Sequence, residues 1–79
     1  MKPRRIVVVE RKLGRERAWG TQEPGRIEID ARLRGRRRLT VLVHELVHEG
    51  LPRMAESAVE RLAGLIGREL WRQGYRRTE

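Results

Sequence analysis

No cysteine occurs in the 79 residues of this chain, and that absence limits how so short a chain can be held together. Disulfides, thiolate zinc sites, iron–sulfur clusters and cysteine nucleophiles are excluded with it. Apolar residues are 38% of the sequence, near the least that sustains a core. Domains of this size commonly add a disulfide, a metal or a partner. A bound metal would have to be held by histidine and carboxylate. The length accommodates one domain, residues 1–79, and no separate substrate domain. No apolar run approaches the length of a membrane span. The start, Met1-Lys2-Pro3-Arg4-Arg5, is basic, but no signal-like apolar stretch follows. The sequence therefore predicts a cytoplasmic protein that does not enter the membrane.

The first third of the chain has strand character and the rest has helical character. Arg5-Ile6-Val7-Val8-Val9 is β-branched and predicts a first strand. Lys12–Arg17 is charged, contains Gly14 and predicts a loop. Ala18-Trp19-Gly20-Thr21 predicts a short second strand. Gln22-Glu23-Pro24-Gly25 carries a turn signal, with Pro-Gly suited to the centre of a type II turn. Arg26-Ile27-Glu28-Ile29-Asp30 alternates polar and apolar, as a half-buried strand does. Strands two and three thus form a hairpin.

After Gly35–Arg38 the period changes. Leu39, Leu42, Val43, Leu46 and Val47 recur at helical spacing and form one apolar stripe. Gly50 and Pro52 end that helix. Val59, Leu62, Ala63, Ile66 and Leu70 make a second stripe, with Met54 and Val59 flanking an N-cap at Ala55 and Gly74 as a stop. Gly64 and Gly67 lie inside this helix and cost about 1 kcal/mol each relative to alanine, which close packing against the first helix would offset.

The only two histidines lie four residues apart in His44-Glu45-Leu46-Val47-His48, an HExxH pattern on the first helix. Residues i and i+4 are stacked neighbours about 40° apart in projection, so both rings can reach one ion at about 2 Å. Glu45 lies about 60° round from His48, within reach of a water on that ion without being a ligand. Zinc lowers the pKa of such a water to about 7, and a neighbouring carboxylate can take its proton.

With no third histidine, the remaining protein ligand must be a carboxylate. The downstream candidates are Glu49, Glu56, Glu60, Glu69 and Glu79. Glu49 points about 100° away from His48. On the second helix, Glu56 falls about 60° from the inward-facing Val59 and Glu60 about 100°. This assigns Glu56 as third ligand and Glu60 as a carboxylate orienting a histidine, with Glu60 as ligand the alternative.

His44-Glu45-Leu46-Val47-His48, followed by a helix with Glu56-Ser57-Ala58-Val59-Glu60, resembles the gluzincins. These are HExxH zinc metallopeptidases whose third ligand is a downstream glutamate, often followed four residues later by an acid that contacts a zinc histidine. The order Ala18-Trp19-Gly20, Arg26–Asp30 and the HExxH helix also resembles the upper edge strand, next strand and active-site helix of zincins such as thermolysin. The chain is similar to minimal gluzincins and to short HExxH proteins of phages and prophages. The resemblance implies a minimal zincin-like α+β fold: a small three-stranded sheet packed against the HExxH helix and a C-terminal helix, with the edge-strand analogy favouring the order one-three-two and a simple meander as the alternative. It implies Zn²⁺ on His44, His48 and Glu56, Glu45 as catalytic base, Glu60 beside a zinc histidine, and Ala18, Trp19, Gly20 and Thr21 as an edge binding an extended peptide or protein substrate. For the oxyanion the chain offers only Tyr75, a Trp indole or an arginine.

Two other functions compete with peptide hydrolysis. The 19 Lys+Arg against 11 Asp+Glu give a net charge of +8. Arg34, Arg36, Arg37 and Arg38 cluster before the first helix, and Arg4, Arg5, Arg76 and Arg77 mark the ends. Such surfaces suit a basic nucleic-acid-binding module, although three aromatic residues supply little base stacking. Alternatively zinc is the structural staple of a non-catalytic adaptor, with Trp19 and Trp71 in its interface.

Overall fold

Ile27 and Ile29 alternate with Arg26, Glu28 and Asp30, and this strand becomes the middle of the sheet. In a computed structural model covering residues 5–14 and 18–78, β1 is Val7–Arg11, β2 Gly20–Glu23 and β3 Arg26–Asp30. Their order is β1-β3-β2. β1 runs parallel to β3, from Val7 beside Arg26 to Arg11 beside Asp30. β2 runs antiparallel to it, from Gly20 beside Ile29 to Glu23 beside Arg26. The expected α+β class and strand order are both found, in a mixed sheet.

Two strand boundaries differ from those expected. The hairpin turn is confined to Pro24–Gly25, with Gly25 at φ 79°, so pairing continues through Gln22 and Glu23. Ala18 and Trp19 precede β2, although the Trp19 carbonyl still accepts the Asp30 N–H at 2.8 Å. β1 begins two residues later than Arg5 and extends to Arg11. Its charged end is accommodated because Glu10 meets Arg38 at 3.6 Å and Arg11 meets Glu28 at 2.9 Å. Of the predicted loop at Lys12–Arg17, residues 15–17 lie outside the described residues, as do the basic residues 1–4 and Glu79.

α1 spans Gly35–Gly50 and α2 Glu56–Arg72. α1 starts a turn earlier than its apolar stripe, with Gly35 at φ 60°. It packs on β2 and β3, and the short turn after Leu51 folds α2 back along it. The core comprises Leu13, Ile27, Ile29, Leu33, Val43, Val59 and Ala63. Ile27, Ile29 and Leu33 pack against Ile6, Val41 and Leu42. Leu13 is buried despite its charged neighbours, because its N–H donates to the buried Asp30 carboxylate at 3.2 Å.

Of the two helical glycines, only Gly67 is a close-packing position. A Cβ there would lie 2.6 Å from Thr40 Oγ1 and 3.2 Å from Thr40 Cα, whereas one at Gly64 would meet only Arg68 Nη1 at 3.9 Å. No helix among the described residues is long and apolar enough to cross a membrane.

Candidate metal centre

Helical spacing puts His44 and His48 one above the other on α1, and the α1–α2 turn brings the first residue of α2 opposite them. Their Nε2 atoms are 3.2 Å apart. Glu56 spans the pair, with Oε1 2.8 Å from His44 Nε2 and Oε2 2.9 Å from His48 Nε2. The three side chains thus point their ligand atoms at one small volume and could hold a metal ion.

The donor chemistry tests that possibility. If each neutral ring donates its Nε2 hydrogen to Glu56, two N–H groups confront each other across 3.2 Å. If one ring instead accepts from the other, its contact with Glu56 sets two acceptors together. A central cation satisfies both rings and the carboxylate at once. Tetrahedral ligands about 2.0–2.1 Å from an ion stand roughly 3.3 Å apart. The nitrogens are already near that spacing, and each carboxylate oxygen is about half an ångström inside it.

Glu45 occupies the neighbouring position, turned toward β2 and buried. Burial raises its carboxyl pKa above the ordinary value; charge on His44 and His48 lowers it, and the Glu56 carboxylate raises it. Gly20 is what lets the strand close over it. A Cβ on Gly20 would fall 2.8 Å from Val41 Cγ1, 3.0 Å from Glu45 Oε2 and 3.1 Å from Glu45 Cγ. Gly20 and Thr21 therefore belong to an edge strand lying on the Glu45 side of α1. Trp19 is outside that strand, with Arg37 and Arg32 over its ring at 4.8 and 5.5 Å.

The other carboxylates weighed from sequence go elsewhere. Glu49 Oε1 accepts from Gln22 Nε2 at 2.8 Å and from the Gly25 N–H at 3.0 Å, fastening the end of α1 to the β2–β3 hairpin. Glu69 pairs with Arg72. The Glu60 side chain is exposed and forms no hydrogen bond or ion pair among the described residues, so it is not brought to either histidine. Tyr75 lines a groove with Gly35, Arg38, Leu39 and Leu42 in the N-terminal half of α1, away from the histidine pair.

Compared with protein-family models, curated proteins and solved structures, the chain has no significant match. Its function must therefore be read from the geometry of this site.

Proposed function

We propose that the protein is a zinc-dependent metallopeptidase-like hydrolase acting on peptide bonds. The observation carrying this reading is the convergence of His44, His48 and Glu56 with Glu45 buried beside them. Two imidazoles and one carboxylate are a donor set suited to zinc in catalytic sites, where a fourth position stays open. Glu56 is 61% exposed, so water and substrate can reach the three ligands. Zinc held there would polarise the scissile carbonyl and acidify a water beside it.

The remaining chemistry belongs to the chain. Glu45 accepts a proton from the attacking water and passes it to the leaving amine, and burial, which raises its carboxyl pKa, makes it a better base. β2 is an edge strand, so an extended peptide can add along it by main-chain hydrogen bonds. Gly20 keeps that strand close to Glu45. Glu60 serves in this reading only if it turns toward a histidine when metal binds.

The test is Glu45→Gln, which removes the base and leaves the three ligands. Zinc stoichiometry should be retained and hydrolysis of a quenched-fluorescence peptide library lost. Equal hydrolysis by the variant would overturn Glu45 as base. Because the same triad ties α2 to α1, a zinc-stapled non-catalytic adaptor is the second reading. It is favoured if zinc-loaded wild type binds one zinc and cleaves nothing in the library.

A further inference from the structure

The strongest unassigned feature lies at the opposite end of the helical hairpin. There α1 begins and the chain after α2 folds back over it, enclosing a groove of about 760 Å³. Four arginines, Arg34, Arg38, Arg76 and Arg77, line it against one carboxylate, Glu10. Glu10 is shared by Arg77 at 2.6 Å and Arg38 at 3.6 Å. Arg38 Nε is buried without a hydrogen-bond partner. Among the described residues, Arg34 finds only the carbonyls of Ala31 and Leu33 as acceptors, at 2.7 and 2.9 Å. Among the described residues, positive charge is therefore in excess within a concave space.

The helix start reinforces that imbalance. α1 has no side-chain cap and no acidic residue in its first turn. An uncapped N-terminus leaves N–H donors free and favours an anion nearby. This turn instead carries exposed Arg36 and Arg37 beside Arg38, an arrangement that costs stability unless an anion neutralises it.

We infer that this groove binds the phosphodiester backbone of single-stranded nucleic acid. Guanidinium forks match phosphate oxygens in paired hydrogen bonds. The basic surface continues past the groove to Arg36 and to Arg37 over Trp19, so it suits a chain of phosphates better than a single anion. Recognition is by charge and not by base. Arg76 covers the Trp71 ring at 3.5 Å, leaving Tyr75 as the exposed aromatic at the groove. The inference is independent of the metal centre.

The experiment is fluorescence anisotropy with the full chain and a labelled single strand of roughly 20 nucleotides, longer than one such site needs. Each phosphate contact on a single strand contributes about 0.7 to the logarithmic salt slope, or about 5-fold in affinity at 0.1 M salt. Arg34→Gln/Arg76→Gln should weaken binding by about 25-fold and flatten the slope by about 1.4. Arg53→Gln/Arg61→Gln removes the same charge outside the groove and should have little effect. Glu10→Gln should tighten binding more than Glu23→Gln, which keeps the test decisive if the first double variant fails to fold. No binding of the strand, equal loss in the two double variants, or equal effects of the two glutamate variants would overturn the inference. So would displacement by pyrophosphate or polyglutamate at the same charge concentration as competing unlabelled strand.

Discussion

Gly64 and Gly67 are the same residue on the same helix, and the packing of α2 against α1 predicts opposite outcomes on replacing them by alanine. Both substitutions gain about 1 kcal/mol of helix propensity. The methyl group added by Gly64→Ala meets nothing closer than the flexible end of Arg68 at 3.9 Å, so this variant should keep that gain. Gly67→Ala would place its Cβ 2.6 Å from Thr40 Oγ1, 3.2 Å from Thr40 Cα and 3.3 Å from Thr40 Cβ. The hydroxyl can rotate away, but Cα and Cβ belong to a helix and cannot. The helices must then separate by a few tenths of an ångström, an overpacking cost of about 1–3 kcal/mol. Gly67→Ala should therefore leave stability unchanged or lower it by up to about 2 kcal/mol. The difference between the two variants cancels propensity and reports the contact itself. At about 2 kcal/mol, it corresponds to roughly 8–16 °C in Tm for a domain of this size. Circular-dichroism melts on metal-free protein measure it. Equal stabilisation by both substitutions would refute the close α1–α2 contact at Thr40.

Three further outcomes follow from the site and its supports. Gly20→Ala should cost about 1–3 kcal/mol by crowding Val41 and Glu45, and peptide hydrolysis should fall while calorimetric zinc affinity is retained. Glu56→Gln should weaken zinc binding by more than the roughly 10–100-fold typical of losing an outer-sphere partner, whereas Glu60→Gln should leave it within a few-fold; the reverse ranking would make Glu60 the ligand. Arg32 side-chain and backbone hydrogen bonds, with the Leu13 N–H, hold the Asp30 carboxyl below the usual carboxylate range. That depressed value contributes stability present above the unfolded pKa of about 3.9 and lost as pH falls through the folded value. Urea titrations should show stability declining below about pH 4, with a shallower decline in Asp30→Asn.

Much of the site was readable because helical geometry is local. The i, i+4 spacing of His44 and His48 places their nitrogens on one point. The angular positions of Glu56 and Glu60 about α2 already favoured the former, which is the carboxylate found against both rings. The alternation of Ile27 and Ile29 likewise located β3, and Pro24-Gly25 located its turn. Features that depend on another segment were not readable. Leu13 sits in a charged stretch, and its burial depends on Asp30, seventeen residues away. β1 slid toward Arg11 because its charged end finds partners on β3 and α1. Gly64 and Gly67 are indistinguishable without Thr40 opposite one of them. Gly20 gave no sign that it admits Glu45, nor Glu49 that it fastens the hairpin.

The central claim is that His44, His48 and Glu56 form a metal centre. The most direct test is the zinc content of untagged protein purified without added metal, followed by melting before and after chelation and after zinc is restored. One zinc per chain and a reversible fall in Tm are expected. Free zinc at 1,000 times Kd stabilises by about 4 kcal/mol, which is tens of degrees in a domain this small. Protein that carries no zinc, and whose melt neither chelation nor added zinc changes, would contradict it.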